Sequence, residues 1–188
     1  MKKQIPAIIG AVIVVLAIAG GLVWWQASQN GSSSPTGTEQ TSFAGPKDAC
    51  NYLTAAIAAQ VLGADAEKGT GNAPVTGDDI SVSTCIYTSK PGATIADVKN
   101  MRSATLLVRS PLTATGAASN DEPFDNQKTG AITVNGYGEK AFWDPELGQL
   151  NVLKGGVWLI MSLGKSSVTD VKSLDEAKQL ADLIVPQL

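Results

Sequence analysis

The sequence contains no histidine. That removes the commonest general base at neutral pH and the commonest metal ligand. Cysteine is nearly as scarce. Cys50 and Cys85 are the only two among 188 residues, and two Cys without His do not make the usual four-ligand zinc site. Charge is thin: Asp, Glu, Lys and Arg make up 16 % of the chain, against about 25 % in ordinary soluble proteins. Basic clusters are missing altogether. The chain has 14 Lys+Arg and 17 Asp+Glu; setting aside Lys2 and Lys3, which fall on the cytoplasmic side in the reading below, leaves 12 against 17, a balance of −5. Without clustered Lys and Arg to displace counterions, neither nucleic acid nor an anionic bilayer surface suits this chain as a partner.

What the sequence does have is one long apolar run. Residues 5–25 carry no charge, and roughly 21 residues of helix reach about 31 Å, the thickness of a hydrocarbon core. Lys2 and Lys3 flank one end, which places the N-terminus in the cytoplasm. Trp24 and Trp25 close the other end, where indoles favour the membrane interface. The rival reading is a cleaved signal peptide with Ala17-Ile18-Ala19 as the cleavage site. Cleavage there would leave an apolar mature N-terminus, so an uncleaved anchor over residues 1–26 is the expectation. Residues 27–45 are rich in Ser, Gly and Thr and bury too little apolar surface to fold. About 20 such residues make a tether with a root-mean-square reach of roughly 25 Å.

Residues 46–188 read as one extracytoplasmic α+β domain. Cys50, Leu53, Ile57 and Val61 recur at helical spacing, with Ala56 on the same face, so residues 47–62 read as an amphipathic helix. Residues 69–79 read as a loop and residues 80–87 as a strand with Ile80, Val82 and Ile86 alternating. Pro91-Gly92 is a turn, and residues 103–109 are a second strand. The polar stretch 110–129 reads as a long irregular loop. Ile132 and Val134 mark a short strand, and residues 139–144 another. Residues 150–154 and 157–163 form a hairpin around Gly155-Gly156, which supply the positive φ of a two-residue turn. Ser173 and Glu176 form a capping box opening a last helix that Pro186 ends. The expected fold is a mostly antiparallel sheet of about six strands with an N-terminal and a C-terminal helix. Residues 157–161 are apolar at consecutive positions, so that strand needs cover on both faces. A helix–sheet–helix sandwich is the simplest way to provide it.

Cys50 and Cys85 lie outside the membrane in this reading, where oxidising conditions favour a disulfide. Two buried free thiols are the alternative. The order Asp48-Ala-Cys50-Asn-Tyr-Leu53-Thr54, then Leu62-Gly63, then Ser83-Thr-Cys85-Ile-Tyr87 resembles actinobacterial secreted lipoproteins of unknown function. Residues 134–143, the Gly-Gly hairpin and the closing helix resemble the rest of that pattern, and extracellular sensor domains of mycobacterial kinases are similar in build. The resemblance implies a disulfide-pinned α+β domain facing the cell envelope and implies no catalytic residue. It departs at the anchor, which is a helix here where many such proteins carry a lipidated Cys.

The motifs with chemical meaning are weak. Ser162-Leu-Gly-Lys165 fits Ser-x-x-Lys, and Lys128-Thr129-Gly130 fits Lys-Thr-Gly. Their order is reversed relative to penicillin-interacting enzymes, and no Ser-Asp-Asn lies between them. Gly136-Tyr-Gly138 opens a Gly-x-Gly with no βαβ unit after it, so it reads as a turn. Asp78-Asp79, Asp121-Glu122 and Asp144-Pro-Glu146 are carboxylate clusters without calcium-loop spacing. Phe142 and Trp143 point to opposite faces of one strand. Trp143 has a core role or, with Tyr137, a ligand-contact role at a rim. The expectation is a membrane-anchored binding or sensing module with no catalytic residue, metal or cofactor. Its partner would be an envelope protein, glycan or small ligand. The competing class is an envelope hydrolase using carboxylates or a Ser-Lys pair.

Overall fold

The computed structural model describes residues 43, 45–90, 100–127, 129–165 and 173–188, all within a compact unit spanning Gln40–Leu188. The elements are α1 (Ala49–Tyr52), α2 (Ala55–Leu62), β1 (Glu67–Lys68), β2 (Asn72–Thr76), β3 (Ile80–Thr88), β4 (Arg102–Pro111), α3 (Ala114–Asp125), β5 (Ile132–Thr133), β6 (Lys140–Asp144), β7 (Gln149–Lys154), β8 (Val157–Lys165) and α4 (Leu174–Ile184), followed by a 3-10 turn, Val185–Gln187. The expected α+β class with a mostly antiparallel sheet is what the chain adopts. Among the described residues the sheet has eight strands in the order β1-β3-β4-β8-β7-β6-β5, with β2 also paired to β3, and every pairing is antiparallel. Among the described residues no helix is long and apolar enough to cross a membrane. The expected anchor over residues 1–26, most of the tether and the Pro91-Gly92 turn lie outside them.

Register puts one row of large side chains on one face. Cys85 pairs with Leu106, Leu106 with Met161, Met161 with Leu150, and Leu150 with Trp143. All five are buried. This face is covered by α1, α2 and α4, through Ala49, Leu53, Ala58, Val61, Leu180 and Ile184. The opposite face carries Phe142, Leu153 and Trp158, which pack on Phe124 of α3. Phe124 meets Phe142 and Trp158 edge-on, at 5.2 and 5.9 Å between ring centroids, the arrangement aromatic quadrupoles favour.

The double-faced strand is therefore covered on both faces, but the layers differ from expectation. The N- and C-terminal helices share one face. The second face belongs to α3, in the stretch expected to be an irregular loop. Its sequence, ATGAASNDEPFD, has almost no apolar stripe and an internal Pro123, so local pattern gives no helix. Tertiary bonds decide instead. Thr113 caps it by accepting from Gly116 N and donates to Asp79 Oδ1. The fully buried Asn120 donates to Arg109 O and Gly156 O, at 3.0 and 2.9 Å. One amide thus ties α3 to β4 and to the β7–β8 turn.

Two other expectations need correction. Residues 69–79 contain β2, whose outer positions are nearly all exposed, so it lacks the period-two burial signal that marks a strand. The helix over 47–62 is broken in two. Thr54 takes extended backbone angles and caps α2 through Ile57 N. The break resets the helical phase, so Ala58 is buried and Ala56 is exposed. The entry to α1 is held by sheet hydroxyls: Ser83 Oγ accepts from Ala49 N and donates to Lys47 O, and Ser110 Oγ accepts from Lys47 N.

Cys50 and Cys85 are disulfide-bonded, with Cα atoms 5.0 Å apart. The bond joins α1 to β3 across 35 positions of sequence. Labelling of the denatured, unreduced protein should find no reactive thiol. Reduction should cost about 3–4 kcal/mol by the chain-entropy argument, read as a drop in unfolding free energy. A second test addresses α3. Replacing an exposed helical Gly by Ala ordinarily gains up to about 1 kcal/mol. At Gly116 the added Cβ would collide with Asp79 O, so Gly116→Ala should instead cost about 1–3 kcal/mol in chemical denaturation.

Candidate functional site

The β5–β6 connection is a tight turn. Val134 N donates to Ala141 O and Glu139 N donates to Leu153 O. Gly136 and Gly138 both have positive φ, 94° and 56°, and a Cβ at Gly138 would collide with Leu153 O. The Gly-x-Gly is thus required by the backbone, as its reading as a turn anticipated. Three neighbouring clefts border this turn. One of about 210 Å³ runs from Phe124 past Val134 to Lys140. A second, about 410 Å³, lies beside α3, between Ala117, Asp121, Lys140 and Leu153. The third, about 280 Å³, lies beside α4, between Tyr137, Lys154, Asp182 and Pro186.

Polar bonds fasten the turn to the elements around it. Tyr137 Oη donates to Asp182 Oδ1 of α4 at 2.7 Å. Lys140 Nζ lies 2.8 Å from Asp121 Oδ1 and 2.6 Å from Asp125 Oδ1, both on α3. Both carboxylate oxygens of Glu139 accept from Gly155 N at 3.0 Å. Lys154 Nζ donates to Val185 O, closing the end of α4. Desolvation, the Asp182 hydrogen bond and the Asp182 charge push the Tyr137 hydroxyl up to about 12. Hydrogen bonds to Asp121 and Asp125 push the Lys140 ammonium above its ordinary value. At neutral pH Tyr137 presents a neutral hydroxyl and Lys140 a charged ammonium, each bonded to carboxylate oxygen.

The residues singled out from sequence separate clearly. Tyr137 lines two clefts. Trp143 is 4 % exposed and belongs to the core beneath the helices, so in this structure it forms core rather than rim. Ser162 and Lys165 both lie on β8. Three residues apart on a strand, they point to opposite faces, so they do not form the Ser-Lys pair that a helix would create. Lys128 lies outside the described residues. One carboxylate of each cluster has a partner in the fold: Asp79 accepts from Thr113, Asp121 pairs with Lys140, and Asp144 Oδ1 accepts from Glu146 N and Leu147 N in the β6–β7 turn. Among the described residues no group of three or more Cys, Asp or Glu is arranged to hold a metal ion.

Sequence reasoning missed Asp182, Lys154 and Lys140. One of them carried a signal. Asp182 lies in the last turn of α4, where the helix dipole disfavours an acid, and the Tyr137 hydroxyl offsets that cost.

The Tyr137 shift predicts an alkaline limb. Its folded pKa of about 12 lies above an ordinary value of about 10, so its contribution to stability is complete below pH ~10 and is lost as pH rises towards ~12. Thermal melts between pH 9 and 12 should show a steeper loss of stability for the native chain than for Tyr137→Phe. Identical slopes would contradict the assignment. Comparison with family models, curated proteins and solved structures gives no match.

Proposed function

We propose that the chain is a membrane-anchored, extracytoplasmic binding or sensing module of the cell envelope, with its binding surface around the 136–140 turn. The observation that carries this reading is the convergence of three clefts on one turn braced by both helical layers. Ligand sites are concave and largely preformed, with a few fixed polar groups. Here the ionisable groups bordering the turn are engaged in bonds to protein, which favours recognition over proton transfer. Residues 1–26 anchor the module and residues 27–45 tether it, confining it near the outer membrane face and raising its effective concentration for envelope partners. The disulfide suits an oxidising compartment. The resemblance to actinobacterial secreted lipoproteins supports the same placement. The acidic balance favours a neutral or basic partner.

A photo-crosslinking residue at Asn135, exposed beside the turn, tests this in intact cells with the full-length chain. The matched control is Thr76 on the opposite sheet edge. The expected result is a discrete crosslinked product from position 135 and none from 76, with the domain cleaved by protease added outside the cell. Turnover of an ester, amide or glycoside by the purified chain, abolished by Asp121→Asn, would make the hydrolase reading the correct one.

A further inference from the structure

The three clefts are not electrostatically alike. Beside α3, the charge of Lys140 is taken up by two carboxylates. Beside α4, the two charged groups have neutral partners: Lys154 bonds a backbone carbonyl and Asp182 bonds a phenol. Among the described residues neither meets an opposite charge at ion-pair distance. One positive and one negative group therefore face a single cleft, Lys154 from the sheet and Asp182 from the helix. The same cleft is lined by apolar Ala181, Val185 and Pro186 and by Tyr137.

Asp182 also breaks a local rule. An acid in the last turn of a helix opposes the dipole, and α4 has no basic residue there to compensate. Departures from local consistency concentrate at functional sites. A neutral hydrogen bond holds each charged group in place while leaving further bonding capacity: a carboxylate accepts several hydrogen bonds and an ammonium donates three.

We propose that this cleft binds a small zwitterion of the amino acid or dipeptide class, its ammonium on Asp182 and its carboxylate on Lys154. This rests on the binding-module reading and names the ligand chemistry of one of its clefts. A ligand with one charge leaves one wall unmatched, and a polyanion is opposed by Asp182. The cleft volume of about 280 Å³ is at the low end of ligand pockets, about 300 Å³ upward, which limits the ligand to a residue or two. The apolar wall favours short aliphatic side chains.

The test is calorimetric titration of the detergent-solubilised full chain with alanyl-alanine, N-acetyl-alanyl-alanine and alanyl-alanine amide. The uncapped dipeptide should bind about tenfold more tightly than either capped form, the size expected for one lost charged hydrogen bond. Asp182→Asn and Lys154→Gln each keep a neutral bonding group and remove one charge. Asp182→Asn should make the acetylated and free dipeptides bind alike, and Lys154→Gln should do the same for the amide, with melting temperatures confirming that both variants fold. Equal affinity for all three probes, or undiminished dipeptide affinity in both variants, overturns the inference. Capture of a partner at Asn135 without dipeptide binding overturns it alone, whereas hydrolysis of the dipeptide overturns the binding-module reading itself.

Discussion

β4 and β8 run through the middle of the sheet with apolar side chains on both of its faces, and water has to be excluded from both. Leu106, Val108, Leu159, Met161 and Leu163 are fully buried on one side. Trp158 on the other lies under Phe124, with the Arg109 guanidinium 4.8 Å from its ring. Each remaining element answers this requirement. Among the described residues α1, α2 and α4 cover the first face and α3 covers the second. The disulfide and the Ser83 and Ser110 hydroxyls hold the N-terminal helical segment against β3 and β4.

The second face shows how little apolar surface a covering helix needs when polar bonds position it. α3 buries one large apolar side chain, Phe124. Its place is fixed by the Thr113 cap, the Asn120 clamp and a Gly116 close approach to Asp79. A buried amide with two carbonyl acceptors is costly to displace, so this helix is specified by geometry more than by hydrophobicity. Its ion pairs to Lys140 carry that placement to the β5–β6 turn.

That turn is where fold and proposed function meet. Bonds to α3, to α4 and to the β7–β8 turn bring the two helical layers to one rim. A ligand entering beside α4 would meet groups whose positions are already set, which lowers the ordering cost of binding. The same bracing means that strain at the turn would be felt on both faces of the sheet.

The sequence by itself determined the α+β class, the long strands, the Gly155-Gly156 hairpin, the Ser173 cap and the cysteine pair. Each is written in short-range signals: period-two alternation, a capping box, positive-φ glycines, two cysteines with no others to choose from. Tertiary structure alone decided the rest. α3 has no apolar stripe to announce it and forms because Asn120, Thr113 and Phe124 find partners far away in sequence. β2 is a strand by pairing, its side chains mostly in water. The single expected helix is two because Thr54 caps a new start. For Trp143 the sequence left a core role and, with Tyr137, a ligand contact at a rim both open. Strand register sends Trp143 into the core opposite Leu150, and the turn holds Tyr137 at the rim against Asp182, a partner 45 residues away. A bond over that distance has no local sequence pattern, because only the folded sheet brings its two ends together.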